Sequence, residues 1–123
     1  MNRRVRPISV AVILIAILSG GLFYLKYPPR RSREAILKQD LRAIREAIDN
    51  YTMDKRQAPQ TLRDLVTEHY LRVIPTDPFT GKEDWRLHFG ESALSPEVMV
   101  NGIDDVHSAS ALVSRVGIPY SLW

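Results

Sequence analysis

A run of 18 uncharged residues, Ile8–Leu25, lies between a basic tip, Met1–Arg6, and the dipeptide Pro28-Pro29. As a helix it spans about 27 Å, close to the hydrocarbon thickness of a bilayer. A segment of this kind dictates compartment and orientation before any fold is considered. Tyr24 and Tyr27 suit a membrane interface, and Lys26 can snorkel from its edge. The short Arg-rich tip is most simply left in the cytoplasm, which puts the remainder of the chain on the outer side. The rival reading is a cleaved secretory signal, with Ser19-Gly20-Gly21 as its small-residue site.

The formal net charge of +3 conceals a division along the chain. Residues 1–33 hold seven of the 17 basic groups (Arg3, Arg4, Arg6, Lys26, Arg30, Arg31 and Arg33) and none of the 14 acids. Residues 34–123 therefore carry ten basic and 14 acidic groups, a net of −4. The positive charge flanks the apolar run, and the rest is mildly acidic, which argues against a nucleic-acid surface. There are no cysteines, hence no disulfide staple and no thiolate chemistry. The 90 residues after Arg33 can bury a small core but not a deep catalytic cleft.

Proline lacks the amide donor and clashes with the preceding turn, so Pro28-Pro29 interrupts any helix. Ser32 is then a suitable N-cap for a second helix extending to about Met53. In that helix Leu37, Leu41, Ile44, Ile48 and Tyr51 recur at spacings of four, three, four and three, forming one apolar stripe. Arg42 with Glu46 and Arg45 with Asp49 stand at i,i+4 on its polar side. Asp54–Pro59 ends it. Thr61 caps a shorter helix that turns Leu62, Leu65, Val66 and Tyr70 to one side. Val73–Gly81 reads as a turn-rich loop. Trp85–Phe89 alternates as a half-buried strand, with Trp85, Leu87 and Phe89 inward and Arg86 and His88 outward. Gly90–Pro96 reads as a turn, and Glu97–Asn101 and Ile103–Val106 as strand pieces around Gly102. Tyr120 and Trp123 pack back from a weakly patterned tail.

No constellation makes a strong case for catalysis. His69, His88 and His107 have no ligand-spaced partner on a common face, which favours solvated histidines over a metal site. Asp104-Asp105 with His107 and Ser108 could serve a hydrolytic or cation site, yet adjacent acids more often mark a solvated turn. No Gly-x-Ser-x-Gly elbow accompanies them. There is no glycine-rich phosphate loop. Arg30, Arg31 and Arg33 fit either anionic lipid headgroups or a plain stop-transfer flank. The Leu37–Tyr51 stripe fits either a partner-binding face or the chain's own core. Leu37 and Leu41 form the end that a small head is least able to cover.

From Arg33 to Trp85 the chain resembles the pseudopilins of type II secretion, in the type IV pilin-like superfamily, and most of all the major pseudopilin. The likeness is carried by Arg33-Glu34-Ala35-Ile36-Leu37-Lys38-Gln39-Asp40-Leu41, by Ile44, Ala47-Ile48, Tyr51 and Asp54, and by Ala58-Pro59, Leu62, Leu65 and Tyr70-Leu71. Its most specific part is the loop Ile74-Pro75-Thr76-Asp77-Pro78-Phe79-Thr80-Gly81. There Pro75 and Pro78 fix the backbone, Asp77 can accept from nearby amides, and Gly81 can take a positive φ. Gly102–Ser108 and the ending Pro119-Tyr120-Ser121 with Trp123 look like the end of such proteins.

The resemblance implies an α+β fold: an N-terminal transmembrane helix, an amphipathic helical spine and a small antiparallel sheet head. Residues 1–29 would form the tip and anchor, and residues 30–123 a pilin-like periplasmic domain. It implies a structural, non-enzymatic subunit of an inner-membrane secretion apparatus, with its head in the periplasm. Its partners would be other pseudopilins, inner-membrane secretion components and the membrane itself, with no nucleic acid. Leu37, Leu41, Ile44, Ile48 and Tyr51 would pack the assembly, Pro75, Asp77, Pro78, Phe79 and Gly81 would shape the loop, and Arg30, Arg31 and Arg33 would meet lipid. Two features depart from the family. Aligning the family's mid-membrane proline with Pro29 puts the mature start at Ile8. Pro7 then replaces the glycine that the processing peptidase needs, and Val12 replaces a glutamate that pairs with a neighbouring subunit. In Ser108–Gly117 the family's calcium-binding acids are missing, so no cofactor is expected. The alternative is a single-pass anchored binding module that never enters a fibre.

Overall fold

The computed structural model describes residues 7–26 and 29–123. The chain divides into two units, Met1–Ser32 and Arg33–Trp123.

In the first unit, α1 runs from Pro7 to Lys26. Its described side chains, residues 10–23 and Leu25, are all exposed. Val12, Ile15, Leu18 and Leu22 lie on successive turns and are each at least 60% exposed. Ser19 donates its hydroxyl back to the Ile15 carbonyl at 2.8 Å, which satisfies the polar group inside the helix. Among the described residues no helix is long and apolar enough to cross a membrane. The run Ile8–Leu25 includes Ile8, Ser9 and Tyr24, whose side chains lie outside the described residues, as do Met1–Arg6, Tyr27 and Pro28.

The second helix, α2, spans Arg30–Lys55. It starts three residues earlier than a Ser32 cap would allow. Ser32 sits in the first turn and donates its amide to Pro29 O at 2.9 Å. Proline needs no amide partner of its own, so Pro29 can precede the first turn and Ser32 is not needed as a cap. The helix ends where Arg56 adopts the left-handed conformation, φ 56°.

The short helix α3, Leu62–Thr67, begins at Thr61 with a reciprocal capping box. The Thr61 side chain accepts from the Asp64 amide at 3.3 Å, and the Asp64 carboxylate accepts from the Thr61 and Gln60 amides at 2.8 and 2.9 Å.

Two strands, β1 (Arg86–Ser95) and β2 (Val98–His107), form an antiparallel hairpin closed by Pro96-Glu97. The pairing runs from Arg86 opposite His107 to Ser95 opposite Val98 and is interrupted twice. Asp104 is the extra residue in β2 and Leu94 the extra residue in β1. A 3₁₀ turn, Tyr120–Leu122, closes the chain's last segment.

The strand expectations need correction in three places. Trp85 is buried but precedes the strand, whereas Leu87 and Phe89 are 37% and 57% exposed. The reason is which strand meets the rest of the unit. Ile103 and Val106 of β2 are fully buried, and the Ile103 amide donates to Pro59 O at 2.8 Å, so β1 is the outer strand. Gly90–Pro96 is strand through Ser95 rather than a turn, and β2 is one continuous strand rather than two pieces around Gly102.

The core of this α+β unit is one cluster. The α2 stripe packs with Leu62 and Leu65 of α3, Trp85, Ile103, Val106 and Tyr120. Burial of this stripe, rather than local helix propensity, holds α2 in place.

Candidate functional site

All five stripe residues point into the chain's own core. Leu37 and Ile44 are fully buried, Leu41 and Ile48 are 2% exposed and Tyr51 is 8% exposed. The expectation that Leu37 and Leu41 would be left uncovered is therefore wrong. The loop after α3 and residues 108–123 cover that end of α2. Arg33 lies 5.0 Å above the Phe79 ring, Phe79 stacks on Tyr120 at 4.0 Å, and the Tyr120 hydroxyl donates to Glu34 at 2.8 Å. Lys38 sits 4.6 Å over the Trp123 ring. The side of α2 open to a partner is its polar side, not its stripe.

The loop Pro75–Gly81 is organised by Asp77, which is fully buried. One carboxylate oxygen accepts from the Phe79 amide at 2.8 Å and the Thr80 amide at 3.4 Å. The other accepts the Ser108 hydroxyl. The Asp77 amide donates to Lys82 O and its carbonyl accepts from Gly81, both at 2.8 Å. Gly81 has φ 72°, which closes the turn without a Cβ clash. The Pro75 carbonyl accepts the Trp85 indole N–H at 2.8 Å. Each polar atom of the buried aspartate thus has a partner, as burial of a carboxylate demands. Pro78 is half-buried beside it. Burial pushes the Asp40 carboxyl up from its usual range, and the neighbouring Asp77 charge adds to this.

A second polar centre, at Arg45, escapes sequence reading. Its Nε donates to Asp105 at 2.6 Å, and its Nη2 donates to Val106 O at 2.8 Å and Trp123 O at 3.0 Å. The expected Arg45–Asp49 pair does not form, because these long-range acceptors are better placed. Arg42 and Glu46 also make no ion pair among the described residues. Partial burial acts to raise the Asp105 carboxyl. The Arg45 hydrogen bond, the Val106 amide and the Arg45 and His107 charges outweigh it and hold that carboxyl below its usual value. Only the distant pairing of α2 with β2 and the tail creates this clamp, and residue spacing carries no signal of it.

Arg30 and Arg31 are exposed at the start of α2, whereas Arg33 is partly buried over Phe79 with its Nε enclosed. The histidines are scattered. His88 pairs with Asp104 at 2.6 Å, and His107 reaches Trp123 O at 2.7 Å and Asp105 at 3.5 Å. Exposed His69 takes a left-handed φ of 65°. Ser108 directs its hydroxyl to Asp77 rather than to His107, so Asp104, Asp105, His107 and Ser108 do not assemble a nucleophile and base. Among the described residues no group of three or more His, Cys, Asp or Glu could hold a metal ion.

Ser108–Gly117 does not fit the calcium site that the resemblance implies. The segment has no carboxylate, and its hydroxyls are engaged in local turns. Ser108 and Ser110 accept from the Ser110 and Leu112 amides, and Ser114 from the Ile118 amide. A hard cation needs several free oxygen ligands. No protein-family model, curated protein or solved structure matches this chain.

Proposed function

We propose that this chain is a pilin-like structural subunit, anchored in an inner membrane by α1, that serves a type II secretion apparatus by assembling into a periplasmic pseudopilus. The reading rests first on α1. Apart from Ser19, whose hydroxyl is satisfied within the helix, its described side chains are apolar and exposed around the whole circumference, and such a helix is stable only when lipid or other helices cover it. In sequence α1 leads into α2, whose stripe belongs to a small α+β head. The loop around Asp77 supports the same reading, because the Ile-Pro-Thr-Asp-Pro-Phe-Thr-Gly segment is the most specific element of the family resemblance. In this role the chain does no bond-making chemistry. Its work is mechanical: α1 supplies the apolar surface shared with neighbouring subunits, and the head supplies the outward polar surface.

Pro7 and Val12 favour the second reading, a permanently anchored module that uses a pilin-like head without joining a fibre. Intact mass and N-terminal sequence of the protein from native membranes separate the two. A chain beginning at Ile8 with a methylated amine supports the fibre subunit. A chain beginning at Met1 or Asn2 supports the anchored module. A start after Gly21 identifies a cleaved signal and removes the anchor from both readings.

A further inference from the structure

We propose that the groove between α2 and residues 116–123 receives the tip of the β1–β2 hairpin of a second copy, making a head-to-tail contact. This rests on the subunit reading above and names one surface through which subunits would meet. The groove encloses about 600 Å³. Lys38, Arg42 and Arg45 of α2 form one wall, and Val116, Ile118 and Trp123 form the apolar opposite side. Val116 is 78% exposed and Ile118 is 47% exposed, which leaves an apolar edge along the groove.

The hairpin has the complementary character. Beyond Arg86 at its base the hairpin carries no lysine or arginine; of its acids, Asp104 and Asp105 pair with His88 and Arg45, which leaves Glu91 and Glu97 towards the tip. Its tip presents Val98 and Met99, 39% and 54% exposed, next to the exposed Glu97. An apolar tip edged by acid fits the Lys38–Arg42 end of the groove; Arg45 is already paired with Asp105, and the groove's own acids, Glu46 and Asp49, lie further along α2. A chain's own hairpin does not fill its groove. Ser92, Ala93 and Leu94 instead lie against Ile48, Asp49, Thr52 and Met53, towards the Lys55 end of α2.

Donor and acceptor surfaces therefore occupy different parts of one head, and such a heterologous contact propagates from copy to copy, into a ring or an open filament according to its rotation. The groove takes only a few side chains, far less than a standard interface buries. The contact is consequently weak in dilute solution and gains strength among copies concentrated in one membrane.

The chain has no cysteine, so introduced thiols report unambiguously. Full-length Val98→Cys, Ile118→Cys and the double variant are treated in native membranes with a short bis-maleimide, alongside wild-type protein treated with an amine-reactive cross-linker. The expected result is a ladder of multimers from the double variant, dimers only when the two single variants are co-expressed, and no adduct from either alone. Arg42→Glu lowers the yield about fivefold, and adding Glu97→Lys restores most of it. Dimers from Ile118→Cys alone would indicate an isologous contact and overturn the proposal. If the amine reagent links wild-type copies while the Val98–Ile118 pair never joins, this contact is wrong but assembly stands. If wild-type copies are not linked at all, the subunit reading falls with it.

Discussion

Asp77 and Ser108, 31 residues apart in sequence, share a hydrogen bond that no solvent reaches: the Ser108 hydroxyl donates to one carboxylate oxygen, and both residues are fully buried. The other oxygen is taken by amides of the aspartate's own loop. One side chain thus shapes the Pro75–Gly81 turn and ties it to the segment that follows β2.

Removing the serine hydroxyl should leave a buried carboxylate oxygen without its donor. Ser108→Ala is expected to cost about 1–3 kcal/mol, and Asp77→Ala more, because it also strands the Phe79 amide. In a double-mutant cycle the two losses should not add, with a coupling of at least about 0.5 kcal/mol. Denaturant unfolding of the full chain in detergent, followed by the combined fluorescence of Trp85 and Trp123, measures all four proteins. Strict additivity would mean that the bond contributes nothing.

Much of this unit could be read from residues, and what could not shares one physical cause. The α2 stripe follows from helical periodicity, and the Thr61 cap from a capping residue followed three positions later by an acid. The Asp77 loop follows from its prolines, aspartate and glycine. These are local rules. Leu87 and Phe89 were expected inside because alternation reveals that a strand has two faces, not whether its neighbours cover one. That depends on β2 meeting Pro59, a contact 44 residues away in sequence. Arg45 fails for the same reason: a helix pattern offers it Asp49, and the fold offers it Asp105, Val106 and Trp123.

Acid should weaken the head through Asp64 and Asp105. Desolvation acts to raise each carboxyl, but hydrogen bonds prevail: those of Thr61 and Gln60 for Asp64, and chiefly that of Arg45 for Asp105. Both folded values lie below the unfolded 3.8, so the stabilisation is complete above about pH 3.8 and is lost as pH falls through the depressed values. Asp105→Asn should therefore be less stable than wild type at pH 7, with the gap closing in acid. A pH series of thermal melts on the two proteins checks it, and a gap constant down to pH 2 would contradict it.

Asp40 should behave in the opposite sense. Burial and the Asp77 charge raise its carboxyl in the folded chain, so ionisation from pH 3.8 upward costs stability. Asp40→Asn is expected to be more stable than wild type at pH 7 and to lose that advantage below pH 3.8. A melt that shows no gain at neutral pH would mean that Asp40 ionises there without penalty.

Arg56 stops α2 in a left-handed conformation that L side chains adopt at a cost. Glycine removes the Cβ clash but loses more backbone entropy on folding, so Arg56→Gly is expected to gain about 0.5–1 kcal/mol. The same substitution at Asp54, two residues earlier and still inside the helix, should lose about 1 kcal/mol, with the Tyr70 hydroxyl's acceptor lost as well. Opposite signs of the change in melting temperature test the cap assignment directly.

Gly102 is buried where the hairpin packs against residues 58–60. A Cβ there would lie 2.7 Å from the Ala58 Cβ and 2.8 Å from the Pro59 carbonyl oxygen, and the second of these is backbone that no rotamer change can clear. Adjacent to it, the Ile103 backbone amide donates to that same Pro59 oxygen, and the Gln60 side chain donates through Nε2 to Asn101 O at 3.0 Å. Alanine must push β2 away from residues 58–60, loosening both bonds and the packing of Ile103. Gly102→Ala is expected to cost about 2–3 kcal/mol, in the range of an overpacked core site. At Gly90 a Cβ meets only the side chain of Asp104, which can swing outward, so Gly90→Ala should cost less than Gly102→Ala while releasing His88. Denaturant unfolding gives the two costs, and amide exchange at Ile103 should accelerate in Gly102→Ala alone. Equal costs, or an Ile103 amide still protected in Gly102→Ala, would show that the seam between β2 and Pro59 is looser than its distances imply.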